Sequence, residues 1–142
     1  MNAILPIAAR RSLLLEAELQ PLRHFLDQDD ISELSINRPG ELFIERLGRN
    51  HMEQVISSEF TSAWIGKLAE RVAGSTDQLV NAERPILSAA LPSGERFQCV
   101  LPPAAPDGGA ISIRKQVIKE ISLSGYKEAG AFSETRMGRS LE

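Results

Sequence analysis

Two stretches of the chain alternate apolar and polar residues with a period of two, and tight turns cut both of them. In the first, "ISELSINRPGELFIER", Leu34 and Ile36 alternate with polar neighbours, and Asn37-Arg38-Pro39-Gly40 makes a turn. Leu42 and Ile44 then alternate with Glu41, Phe43 and Glu45. Such alternation sends successive side chains to opposite faces of a sheet, so it predicts a β-hairpin with one buried face. Gly48, Arg49 and Asn50 turn the chain into a third strand near His51 to Ile56. In the second stretch, "ILSAAL", "RFQCVL" and "ISIRK" read as three more strands. Pro92-Ser93-Gly94-Glu95 makes a tight turn between the first two, and a loop rich in Pro and Gly over 102–110 joins the last two. Strands in runs, rather than alternating one by one with helices, define an α+β fold. The expected architecture is an antiparallel sheet of about six strands with helices packed against it, not a Rossmann arrangement.

The helices follow from the other period. Leu15, Leu19, Leu22 and Leu26 recur at i, i+4, i+7 and i+11, a single helical stripe. Pro21 interrupts it, and either kinks the helix or opens a second short one. The stripe packs on the sheet by default; in a second reading Leu13, Leu14 and the break at Pro21 meet a neighbour or a membrane surface. Glu16 and Glu18 weigh against an anionic one. Between the two strand runs, "SSEFTSAWIGKLAERVAG" is an amphipathic helix with Trp64, Ile65, Leu68 and Val72 on its buried face. Ser58 or Thr61 caps its front, and Gly74 stands where a C′ glycine belongs. "SLSGYKEAG", from Ser122, predicts a short helix ending at Gly130, and "SETRMGRSLE" a polar tail.

Composition narrows the function classes. Net charge is -3, which argues against non-specific binding to nucleic acid. The lone Cys99 excludes an intramolecular disulfide and fits a reducing compartment; its alternation with Phe97 and Leu101 assigns it to the core. His24 and His51 join no cluster with metal-ligand spacing. No apolar run approaches the roughly 20 residues of a membrane span, and the order of charges in "MNAILPIAARRSLLLEAEL" is not that of a signal peptide. A cytosolic protein of one domain is expected.

Catalytic motifs are absent. A phosphate loop needs glycines that let the backbone wrap the phosphates. The Gly66-Lys67 pair lacks a glycine five residues earlier, is followed by Leu68, and lies in a predicted helix. No G-x-S-x-G, H-E-x-x-H or C-x-x-C occurs. On residues alone the chain reads as a binding or accessory domain.

"ISELSINRPGELFIER", "RPILSAALPSGERFQCVLPP" and "ISIRK", in this order and spacing, resemble the N-terminal domain of the traffic ATPases of type IV secretion and conjugation systems. These belong to a superfamily that also serves type II secretion and type IV pili. The resemblance runs from about Glu16 to Phe132. It implies a domain over 1–132, with 133–142 as the start of an interdomain linker or a tail. It implies a two-domain ATPase, hexameric, peripheral to the cytoplasmic face of the inner membrane. The C-terminal domain would carry the phosphate loop and bind ATP and Mg, and other secretion components would be partners. The N-terminal domain would cover the nucleotide, with Arg96 in "GER" and Arg114 in "ISIR" reaching the terminal phosphate and Ile121 beside the base. Arg84, before Pro85, would be a loop residue or a contact to nucleotide or a neighbouring subunit. No catalytic residue, metal ligand or nucleic-acid contact is expected in this chain, and no ATP turnover by it alone. A reading from another class stays open, that of a stand-alone antiparallel-sheet interaction domain with no nucleotide role. So does a type II secretion or pilus ATPase domain.

The apolar pattern bears on the arginines independently. With Leu101 opposite Ile111, Arg114 faces Gln98, and Arg96 becomes its diagonal neighbour on the same face, roughly 7–8 Å away at the backbone. Phe97, Cys99, Leu101, Ile111 and Ile113 then point to the core.

Overall fold

A computed structural model of the chain describes residues 5–116. The helix expected from Ser122, Ile121 and the tail lie outside the described residues. The elements are α1 (Ile7–Glu18), α2 (Gln20–Leu26), β1 (Ile31–Arg38), β2 (Glu41–Arg46), β3 (Glu53–Ile56), α3 (Ser62–Ser75), β4 (Ile86–Ala90), β5 (Arg96–Val100) and β6 (Ala110–Arg114). All six strands form one antiparallel sheet in the order β3-β2-β1-β6-β5-β4. The two predicted meanders thus meet edge to edge, through β1 and β6. The α+β expectation holds, with a sheet whose first and second halves in sequence are its two halves in space.

One sheet face is buried beneath the helices. Leu34, Ile36, Leu42, Ile44, Leu87, Phe97, Cys99, Ile111 and Ile113 form it, and Leu15, Leu19, Leu22, Ile65, Leu68 and Val72 close over it. The leucine stripe of α1 and α2 therefore serves the domain's own core. Pro21 starts the second helix rather than bending one long helix. Ile31 and Leu34 are both buried although they are three residues apart. A break in register between Ile31 and Glu33 reconciles them: Ile31 opposes Arg46 and Glu33 opposes Glu45, so Ser32 is an extra residue on β1.

Helix ends show where side-chain chemistry decides. Thr61 is the N-cap of α3, its hydroxyl accepting from the Trp64 N–H at 3.0 Å. Trp64 is only half-buried; its indole N–H donates to the Glu18 carbonyl at 2.8 Å, satisfying an open acceptor at the end of α1. The helix does not stop at Gly74. It runs to Ser75, and Asp77 takes the left-handed conformation with φ 55°. The Gln78 N–H then donates to the Ala73 carbonyl at 2.8 Å, the closing bond of a Schellman turn. Hydroxyls of Ser75 and Thr76 donate to the Val72 carbonyl. These local donors let the helix pass the glycine that would otherwise have ended it.

The loop after β5 is pinned to α3. Ser62 Oγ donates to the Gly108 carbonyl at 2.6 Å. Gly109, at φ +123°, lies where an added Cβ would come within 2.8 Å of Ile65 Cγ2, so the backbone can pass this close to α3 only as glycine. Among the described residues, no helix is long and apolar enough to cross a membrane.

Candidate functional site

The uncovered sheet face carries the polar half of every alternating strand. Across its middle run Glu33 on β1, Arg114 on β6 and Arg96 on β5, each opposite the next. Beside them run Ser35, Ser112 and Gln98. Arg96, Gln98, Ser112 and Arg114 line a shallow hollow of about 110 Å³.

Arg96 and Arg114 do share a face, but they are not diagonal neighbours. They are directly opposite, because the register is two residues away from the expected one and pairs Val100 with Ala110. Leu101 causes the difference. It does not extend the pairing with β6: its N–H donates to the Pro85 carbonyl at 2.8 Å, and its own carbonyl accepts from Ala105 at 3.1 Å. The loop therefore begins one residue early. A slip of two keeps every side chain on its face, so the core assignments survive.

Opposed residues in an antiparallel pair have Cα atoms about 4.5–5.5 Å apart, and like charges there are destabilising. The two arginines are compensated unequally. Arg114 Nη2 donates to Glu33 Oε1 at 3.3 Å. Glu33 Oε2 accepts from Ser112 Oγ at 3.0 Å and from Ser35 Oγ at 3.2 Å. Arg96 takes part in none of the ion pairs among the described residues. The hollow is thus lined by N–H donors of two guanidiniums and an amide, while the Ser112 hydroxyl is spent on Glu33. This donor set suits an oxyanion with several acceptor atoms.

Of the other expected residues, Arg84 is exposed in the turn before β4, where the Asn81 side chain accepts from the backbone N–H groups of Glu83 and Arg84. It does not line the hollow. Ile121 lies outside the described residues. Gln98, Ser112 and Glu33 complete the site; sequence reasoning placed Gln98 on the face of the arginines but named neither Ser112 nor Glu33. The polar position of Glu33 in "ISEL" is visible, but its neighbourhood with Arg114 depends on β1 pairing with β6, across 81 residues of chain.

Two other groups are structural. Arg46, with its side chain 15% exposed, donates to Glu53 at 2.7 Å and to Asp30 at 2.9 Å. The Glu53 hydrogen bond raises the Arg46 pKa further above its ordinary value. Cys99 is buried in the core, and burial pushes its thiol up to about 12. Among the described residues, no group of three or more His, Cys, Asp or Glu lies together.

Fold and site define the class: a six-stranded antiparallel α+β domain with helices on one face and an arginine pair on the other. No protein-family model matches the chain. It is 37% identical over 136 residues to the type IV secretion system protein VirB11 of Brucella suis, a match spanning 94% of this chain and 37% of that protein. It is 40% identical over 110 residues to PtlH, a type IV secretion system protein of Bordetella pertussis, across 76% of this chain and 32% of the other. The crystal structure of the Brucella suis VirB11 ATPase in complex with sulphate superposes with a TM-score of 0.78 at 35% identity, covering 91% of this chain and 38% of that one. The chain thus spans about a third of the length of these relatives. In sequence and fold it is an N-terminal domain of the type IV secretion ATPase family.

Proposed function

We propose that this chain is the nucleotide-gating and ring-assembly domain of a hexameric ATPase that powers type IV secretion or conjugative transfer. The observation that carries the reading is the Arg96–Arg114 pair, directly opposed on the open sheet face and lining one hollow. Opposed like charges cost stability unless an anion joins them. The terminal phosphate of ATP is the anion in this reading. ATP and Mg would be held by the protein's own C-terminal ATPase domain, which would supply a phosphate loop. The donors of the hollow suit phosphate oxygens. They do not suit magnesium, since the Glu33 oxygens already accept from Arg114, Ser112 and Ser35. The Brucella suis relative was solved in complex with sulphate, itself a tetrahedral oxyanion.

The gating follows from which contacts differ between nucleotide states. Each guanidinium–phosphate hydrogen bond contributes about 1.5–3 kcal/mol. Two such contacts, made to a triphosphate and lost with a diphosphate, amount to about 3–6 kcal/mol. A two-state equilibrium moves from 1:99 to 99:1 with about 5.5 kcal/mol. Two arginines are therefore of the right order to tie domain position to the nucleotide. The copies would form a homo-hexameric ring at the cytoplasmic face of the inner membrane, in contact with other secretion components.

The test uses the full-length ATPase that carries this domain. Arg96→Ala and Arg114→Ala should each weaken a non-hydrolysable ATP analogue about tenfold, leave ADP affinity unchanged, and lower ATP turnover. Equal affinities for both nucleotides in wild type and variants would remove the phosphate role from both arginines. The isolated chain, which has no phosphate loop, should give no ATP turnover above buffer.

A further inference from the structure

We propose that Glu33 is a built-in counter-anion that holds Arg114 when no phosphate is present and sets the threshold an incoming anion must exceed. The proposal rests on the phosphate reading of the hollow and adds a residue to it. Glu33, Arg114 and Arg96 stand in register on three adjacent strands. The carboxylate is tethered independently of the arginine, because Ser112 and Ser35 both donate to its Oε2. The side chain of Glu33 is 20% exposed, whereas that of Arg114 is 70% exposed. The fixed partner is thus the acid, and the movable one is the arginine.

The Arg114–Glu33 contact is long, at 3.3 Å from Nη2 to Oε1. Charge-assisted pairs usually close to about 2.7–2.9 Å. A guanidinium held by one long bond keeps most of its five N–H donors free. It can turn toward an anion over the hollow, while the serines keep Glu33 from following. The extra residue Ser32 lies immediately before Glu33 on β1. Such bulges re-aim a side chain out of the regular alternation. Here it lets Ile31 and Leu34 enter the core while Glu33 faces the arginines.

A single carboxylate competes well with weakly binding monoanions and poorly with a terminal phosphate of higher charge that offers three oxygens to two guanidiniums. Glu33 therefore lowers the affinity of every anion that needs Arg114, in proportion to the fraction of Arg114 it holds. Its removal strengthens binding.

The experiment titrates the chain with inorganic triphosphate at low salt and follows arginine side-chain N–H signals by NMR. Acetate serves as the competing monoanion. The expected result is a response at Arg96 and Arg114 in the wild type, tightened about threefold by Glu33→Gln and accompanied by a gain in acetate binding. The gain should vanish in the Glu33→Gln, Arg114→Gln double variant. Glu45→Gln, which removes the same charge from the residue opposite Glu33, should change affinity less. Glu33→Ala should shift affinity in the same direction as Glu33→Gln. Unchanged or weaker triphosphate binding in both Glu33 variants, with the wild type still responding, overturns the proposal alone. So does an equal gain from Glu45→Gln, which would reduce the effect to net charge. No response at either arginine in any protein overturns the phosphate reading and this proposal together.

Discussion

Replacing Arg96 by glutamine should make the isolated domain more stable. Arg96 opposes Arg114 directly and has no ion pair among the described residues, whereas Arg114 has Glu33. For two unit charges about 7 Å apart in water-like surroundings, Coulomb's law gives about 0.6 kcal/mol of repulsion. The nearby Glu33 charge lowers that figure, so about 0.3–0.6 kcal/mol is the expected gain. For a domain of this size the gain amounts to a rise in Tm of about 1–2 °C. Arg114→Gln removes the same repulsion but leaves Glu33 without its cation, so it should give a smaller gain or a loss.

Thermal unfolding of the three proteins followed by circular dichroism, in dilute buffer and in about 1 M salt, reads this out. The Debye length falls to about 3 Å at 1 M, so the Arg96→Gln gain should disappear there. A gain that persists at high salt would trace to packing instead. A loss of stability at low salt would refute the reasoning outright, because it would mean that Arg96 is a stabilising surface residue. Greater stability joined to weaker ATP-analogue binding in the full-length protein is the signature of a site kept for function at a cost to the fold.

Gly109→Ala should destabilise the domain by about 1–3 kcal/mol in urea unfolding, since its Cβ would lie 2.8 Å from Ile65 Cγ2 and its φ of +123° suits glycine. Gly66→Ala, with nothing within 4 Å, should not destabilise it. Thr61→Ala, which removes the N-cap of α3, should cost about 1 kcal/mol by the same assay. The Cys99 thiol, pushed up from 9.0 to about 12 by burial, favours the folded state only while protonated. Its contribution is complete below pH 9.0 and is lost as pH rises toward about 12. Alkaline unfolding should therefore be less steep in Cys99→Ala, and the native thiol should resist alkylation at pH 8.

Most of the fold was legible because its signals are local. Period-two alternation identified all six strands, the 3.6-residue stripe identified the helices, and Pro21 left only two outcomes. The α3 terminus was misread at Gly74 because three weaker local devices act together: the Ser75 and Thr76 hydroxyls and the left-handed Asp77. No single one of them outranks a glycine in sequence. Ser32 was invisible for a similar reason. A bulge leaves no residue signature, only the conflict between Ile31 and Leu34, which cannot both face the core by strict alternation.

The site divides along the same line. Which face each arginine occupies is a question of parity, and parity is written in the apolar pattern. Any slip of two residues preserves it, so Arg96 and Arg114 were bound to meet on the open face under either register. Their spacing is a question of where the loop takes over from the strand. That was settled by Leu101, whose hydrogen bonds run to Pro85 and Ala105 rather than across to β6. Glu33 required more still, a pairing between strands at opposite ends of the described chain. An acid on a polar strand face says nothing of its neighbour until the sheet order is known. The face of the arginines was therefore readable from the sequence, and Glu33, which stands opposite Arg114 on β1, was not. If Glu33 governs the exchange of Arg114 between carboxylate and phosphate, the part of the site most open to tuning is the part that depends on topology. Substitutions at Glu33, Ser35 and Ser112 should then alter anion affinity while leaving the helix-covered core intact, since all three side chains lie on the sheet face away from it.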